Sequence, residues 1–219
     1  MVSGIKIIIT GATGMVGEGV LFECLQNSNV WEILMVNRKH YDCSHQKLNE
    51  LIVLDFLQLD QFSEKIQGYD ACFFCAGVSS VGMKEDKYTH ITYDTTLSFA
   101  KTLLIHNSNL SFCYVSGSHT DSSEKGRLMW ARVKGRTENN LIKLPFKGVY
   151  NFRPGVMLPF PSQKNWKKVY KIIVRIINTL SQKNVLTMQE VGRAMINAVT
   201  IGYPKSILEI KDIKELATR

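Results

Sequence analysis

Short apolar runs alternate along the chain with longer stretches in which apolar residues recur every three or four positions. The first run, Ile5-Lys6-Ile7-Ile8-Ile9, is β-branched almost throughout, the mark of a buried strand. The patterning predicts strands at about residues 5–10, 31–37, 51–54, 70–75, 111–116 and 147–152. Helices are predicted near 15–27, 59–66, 86–106, 128–143 and 165–181. Such alternation implies an α/β fold, a doubly wound parallel sheet with helices on both faces. After the sixth strand the pattern changes: Arg153-Pro154-Gly155 interrupts it, and Pro159 and Pro161 mark a loop. Thr187 reads as the N-cap of a helix carrying Glu190, Val191, Arg193, Ala194 and Met195, and Ile207-Leu208-Glu209-Ile210 as a late strand.

Composition narrows the class. A chain of 219 residues with 45% hydrophobic content buries one sizeable core, so a single domain over 1–219 is expected. No apolar run approaches the roughly 18 residues of a membrane span, and the N-terminus runs straight into a strand. These features predict a soluble cytoplasmic protein without a transmembrane segment. Cys72 and Cys75 have redox-motif spacing but lie in a strand, so they read as buried structural thiols. Cys24, Cys43 and Cys113 show no metal-ligand spacing with the histidines, and no metal is expected.

Candidate chemistry begins where the first strand ends. Thr10-Gly11-Ala12-Thr13-Gly14-Met15-Val16-Gly17 carries glycines three apart between strand and helix. In that context backbone N–H groups and a helix N-terminus hold a dinucleotide diphosphate, which identifies the sheet as a Rossmann fold. Gly11 permits the turn, Gly14 lets the phosphates come close and Gly17 lets helix and sheet pack. Asn37 and Arg38 follow the second strand, where an NAD-preferring site would place a carboxylate. The Arg38 guanidinium suits a 2′-phosphate and predicts NADP in preference to NAD, the alternative being a solvated arginine beside Lys39.

Together these residues resemble the atypical and extended short-chain dehydrogenase/reductase superfamily, and within it the small Tat-interacting-protein-like NAD(P)-binding oxidoreductases. The similarity runs nearly end to end. It takes in the glycine loop, Arg38, Asp55, Cys75-Ala76-Gly77, Val133-Lys134-Gly135, Phe152-Arg153-Pro154-Gly155 and Val191-Gly192-Arg193-Ala194-Met195. The resemblance implies that Thr13, Met15, Val16, Pro154 and Val156 join the glycines around the cofactor. It sets Asp55 and the Phe56 backbone beside adenine, and Cys75, Ala76 and Gly77 along the ribose. The alternative for Asp55 is a helix cap or an exposed loop acid. It also implies that residues from about 155 to 219 form most of a small substrate-side extension. Ser116 ends the fifth strand at the ligand-binding edge of the sheet, and Ser118 is the candidate for a substrate carbonyl; either serine can instead serve turn backbone groups.

The superfamily's working pair is a tyrosine and a lysine four apart on one helix face, where the ammonium lowers the phenol pKa and holds the nicotinamide ribose. Here Lys134 stands, but Trp130 occupies the tyrosine position. An indole donates a hydrogen bond but has no acid–base chemistry near neutral pH. The alternatives are a proton from His119, Tyr88 or Tyr93, a substrate that needs no protein acid, or a cofactor bound only as a signal; each named side chain reads first as an ordinary surface or core residue, so no replacement acid is expected.

Net charge is +8, and Lys164, Lys167, Lys168, Lys171, Arg175 and Lys183 concentrate it in a segment, 164–183, with no acid. Its apolar stripe reads as a core-packed helix with a solvated basic face rather than a nucleic-acid or membrane surface. Two functions follow: an NADP-dependent oxidoreductase acting on a small carbonyl, or a catalytically inactive cofactor-sensing protein whose partner affinity follows occupancy. The partner is a small-molecule substrate or a protein, and the chain a monomer or homodimer.

Overall fold

In the computed structural model, which describes residues 4–160, 162–164 and 185–219, Ile5–Thr10 forms the central strand β1. Its isoleucines divide between the faces as a two-residue period requires. Ile7 and Ile9 enter one hydrophobic core and Ile8 the other. Around β1 lie β2 (Val30–Asn37), β3 (Leu48–Ile52), β4 (Ala71–Phe74), β5 (Ser111–Val115), β6 (Gly148–Phe152) and β9 (Ile207–Leu208). All pairings in the order β3-β2-β1-β4-β5-β6-β9 are parallel, with Ile7 opposite both Ile33 and Ala71. The order reverses direction between β1 and β4, which opens a crevice at the carboxyl ends of the strands.

One face is covered by α1 (Met15–Gln26), α5 (Met188–Thr200) and α6 (Ile210–Ala217). Their Val20, Leu21, Val191, Met195 and Ile213 pack with Ile7, Ile9 and Phe152. The other face carries a kinked 3₁₀ stretch, Phe56–Lys65, together with α3 (Thr95–His106) and α4 (Met129–Ile142). There Phe56, Phe74 and Phe99 meet with centroids 5.1–6.4 Å apart.

The element order follows the sequence expectation, with several corrections. The third strand begins at Leu48 rather than 51, because at the sheet edge only Leu51 is fully buried and the apolar pattern is weak. The helix expected at 59–66 is the 3₁₀ stretch, interrupted at Gln58 and Phe62. The helix expected at 86–106 is divided into α2 (Glu85–Thr89), a π-helical turn (His90–Asp94) and α3. Thr95 Oγ1 donates to the His90 carbonyl at 3.0 Å across that turn.

The late strand ends at Leu208, and Ile210 instead begins α6, a helix absent from the sequence reading. Glu209 and Asp212 cap it reciprocally. The cap at Thr187 is present: its hydroxyl accepts from Glu190 N at 3.1 Å while the Glu190 carboxylate accepts from Thr187 N at 2.6 Å. A small parallel pair, β7 (Val156–Leu158) and β8 (Val185–Thr187), was also not anticipated. The helix expected at 165–181 and the basic side chains beyond Lys164 lie outside the described residues.

Candidate nucleotide-binding and substrate site

The loop leaving β1 is shaped by what a Cβ would strike. Gly11 has φ +73°, and a Cβ there would lie 2.7 Å from Ala76 N and the Cys75 carbonyl. At Gly17 it would lie 2.2 Å from the Gly11 oxygen, so only glycine lets α1 begin this close to the sheet. Gly14 is the N-cap of α1 and offers no side-chain cap. The first-turn N–H groups of α1 therefore face outward beside exposed Thr13 and Gly14, with the positive end of the helix dipole behind them. Met15 and Val16 are half-buried in that turn, and the Met15 carbonyl accepts from Gln163 Nε2. This cradle fits a diphosphate.

Clefts flank it along the strand ends. Beyond β2, β3 and β4 lies one of about 220 Å³, lined by Arg38, Leu54, Asp55, Phe56, Ala76, Gly77 and the π-turn residues His90 and Ile91, with Thr95 of α3. Arg38 and Asp55, far apart in sequence, thus line one cleft. The Asp55 carboxylate accepts from Leu57 N at 3.0 Å, which is the capping role. Phe56 is buried among core aromatics. Asn37 departs from the expectation: its side chain is buried and donates to Glu50 at 3.4 Å, because it closes the β2–β3 connection rather than opening to the cleft. Cys75 is a half-buried thiol pushed up to about 12 by desolvation, hence protonated.

Beyond β5, β6 and β9, Ser118, His119, Arg153, Gly155, Val156, Glu209 and Ile210 line a second cleft. The Pro154 carbonyl, between the lining residues Arg153 and Gly155, accepts from Ser118 N at 3.1 Å. Ser116 is buried with its hydroxyl 2.9 Å from Thr120 Oγ1, which fixes the turn; Ser118 is the serine left facing the cleft.

Lys134, on α4, donates to the carbonyls of Val115 at 3.3 Å and Ser116 at 3.1 Å, ending β5. Desolvation lowers its pKa to about 8, against the opposing pull of Glu138. Trp130, one turn earlier, is half-buried against the Gly117 backbone. Of the possible proton sources, Tyr88 is buried and its phenol pKa raised by burial. Tyr93 carries the Arg136 guanidinium 4.3 Å over its ring. His119 faces the second cleft.

Sequence reasoning missed the framework around Arg153. Its guanidinium donates to Glu138 (Nε at 3.0 Å), to Glu209 at 3.1 Å and to Ser122 at 2.6 Å, joining α4, the end of β6 and the start of α6. The Phe152-Arg153-Pro154-Gly155 motif marked the arginine, but its partners are brought in only by tertiary packing.

A parallel sheet with a reversal point, a glycine cradle at that point and a cleft on either side define a Rossmann-fold dinucleotide-binding protein of the short-chain dehydrogenase type. The chain belongs to the NAD dependent epimerase/dehydratase family, whose model matches residues 7–123. It is 27% identical over 155 residues to Protein HTATIP2 of Rattus norvegicus, a match covering 70% of this chain and 63% of the rat protein. The fold is that of the Bordetella bronchiseptica enzyme WbmF in complex with NAD+ (TM-score 0.67, 15% identity, covering 99% of this chain and 77% of that one). It is likewise that of a short chain dehydrogenase from Burkholderia cenocepacia J2315 in complex with NADP (TM-score 0.68, 12% identity, 98% and 93%).

Proposed function

We propose that the protein is an NADP-dependent oxidoreductase acting on a small carbonyl compound, working as one domain whose residues from about 155 onward build much of the substrate side. The observation that carries this reading is Lys134, held by the Val115 and Ser116 carbonyls at the carboxyl end of β5, two residues before Ser118 of the second cleft. Lysine at that place suits a ribose hydroxyl pair, and its lowered pKa keeps it able to exchange a proton near neutrality. Preference for NADP rests on Arg38, exposed in the first cleft, with Asp55 beside it for the adenine amino group. When bound, the reduced dinucleotide supplies a hydride, both electrons with one hydrogen, to the carbonyl carbon. Ser118 orients the carbonyl oxygen, and Ser116 holds the turn that presents Ser118. The proposed compartment is the cytoplasm, consistent with buried, protonated thiols at Cys24, Cys72 and Cys113.

A second reading rests on Trp130. With no phenol four residues before Lys134, the chain can be a sensor that binds coenzyme without consuming it. Loss of NADPH absorbance over a broad carbonyl panel separates the two. Turnover that disappears in Lys134→Ala and survives in Trp130→Phe supports the enzyme; tight NADPH binding with nothing consumed supports the sensor. Absence of heat with either coenzyme in calorimetry on folded protein overturns both.

A further inference from the structure

The second cleft contains one side chain whose backbone is held in a conformation that residues with a Cβ rarely adopt. His119 has φ +66°, in the left-handed region that disfavours L-residues and collects at functional sites. Three contacts hold it there. Ser118 N donates to the Pro154 carbonyl at 3.1 Å, Thr120 Oγ1 donates to the Gly117 carbonyl at 2.8 Å, and Thr120 Oγ1 meets the buried Ser116 hydroxyl at 2.9 Å. The left-handed turn leaves the side chain of His119 exposed on the cleft wall next to Ser118, while the half-buried indole of Trp130 closes against Gly117 two residues away. The charged groups of the same wall are Arg153 and Glu209, which pair at 3.1 Å, and Lys134 anchors the adjoining strand end.

We infer that His119 is the proton donor to the substrate oxygen, in the role that Trp130 cannot fill. The inference rests on the oxidoreductase reading above. As the carbonyl π bond breaks, the carbon takes the hydride and the oxygen takes the imidazolium proton. His119 is left neutral and recovers its proton from solvent. In the reverse direction the neutral imidazole is the base. An imidazole is suited to both because its ordinary pKa lies close to neutrality.

The test has two arms. In the first, His119→Asn is used because asparagine tolerates the left-handed backbone. It should lower kcat about 100-fold or more, the usual contribution of a general acid, remove the histidine limb of the kcat pH profile and leave NADPH binding unchanged. In the second, protein labelled at the histidine ring carbons is titrated by NMR while saturated with NADP+ or with NADPH, His119→Asn assigning the signal. The positive nicotinamide ring of NADP+ disfavours a neighbouring imidazolium, so the His119 midpoint should be lower in the NADP+ complex than in the NADPH complex. Saturation without that difference, or full turnover in His119→Asn, overturns the role of His119 and leaves the oxidoreductase reading standing. A wild-type protein that binds NADPH and consumes none overturns that reading and the proton role together.

Discussion

Gly135 and Asp121 are in backbone contact: a Cβ at Gly135 would sit 1.8 Å from the Asp121 carbonyl oxygen. The contact is reinforced by Asp121 N donating to the Ala131 carbonyl at 3.1 Å, and it seats the loop after β5 on α4. Gly135→Ala is expected to destabilise the protein by about 1–3 kcal/mol, the usual cost of overpacking. Urea unfolding would show a lower midpoint, and NADPH binding through the adenine-side cleft should be less affected than turnover.

Glu138 is fully buried and its partner Arg153 is nearly so. Removing the acid leaves the guanidinium with only the half-exposed Glu209 and the Ser122 hydroxyl, so Glu138→Ala should cost up to about 3 kcal/mol, less than a fully unpaired buried charge. Replacing both partners by apolar residues should cost less than the single change, because no buried charge is left and Glu209 is half-exposed to water. Chemical denaturation of the two variants makes the comparison.

Arg38→Ala should weaken NADP binding about 10- to 100-fold, corresponding to the ~1.5–3 kcal/mol of a charge-assisted hydrogen bond, and leave NAD binding nearly unchanged. Calorimetric titration of both coenzymes measures it. Equal losses for both would remove Arg38 from the 2′-phosphate.

Lys134 gives a pH dependence whose sign is fixed by its lowered pKa. Between about 8 in the folded protein and the ordinary 10.5, the unfolded chain binds the extra proton. Stability therefore rises with pH across that window, and the cost of holding the charged ammonium is fully present below it. The difference in unfolding free energy between wild type and Lys134→Met should grow in favour of the wild type from pH 8 to pH 10.5. A pH-independent difference would show that the lysine titrates normally.

Local signals were the legible ones. The β-branched run of β1, the glycine turn into α1 and the N-cap at Thr187 each act within a few residues, and the strand, the turn and the cap are found where they were read. Arg38 was singled out by its place after the second strand and Asp55, Ala76 and Gly77 by the family resemblance; parallel strands bring their carboxyl ends to one edge, which puts all four on one cleft. What depends on distant partners was not. Glu209 reads as part of an apolar strand until its cap with Asp212 turns the chain into α6. The three-residue strands β7 and β8 are too short to show a period. The π turn arises in a β-branched cluster, Thr89 to Thr96, whose pattern is still helical. His119 could be named but not placed, because its left-handed backbone is imposed by contacts to Pro154 and Gly117.

The bond from Gln163 to the Met15 carbonyl, joined by Lys164 N donating to Glu18 at 3.1 Å, fastens the polypeptide leaving β7 onto the first turn of α1. That turn is also the one proposed to meet the diphosphate. On that proposal, grip on the coenzyme and seating of this downstream stretch draw on a common anchorage, and thermodynamic reciprocity makes the influence mutual: whatever tightens one tightens the other by an equal factor.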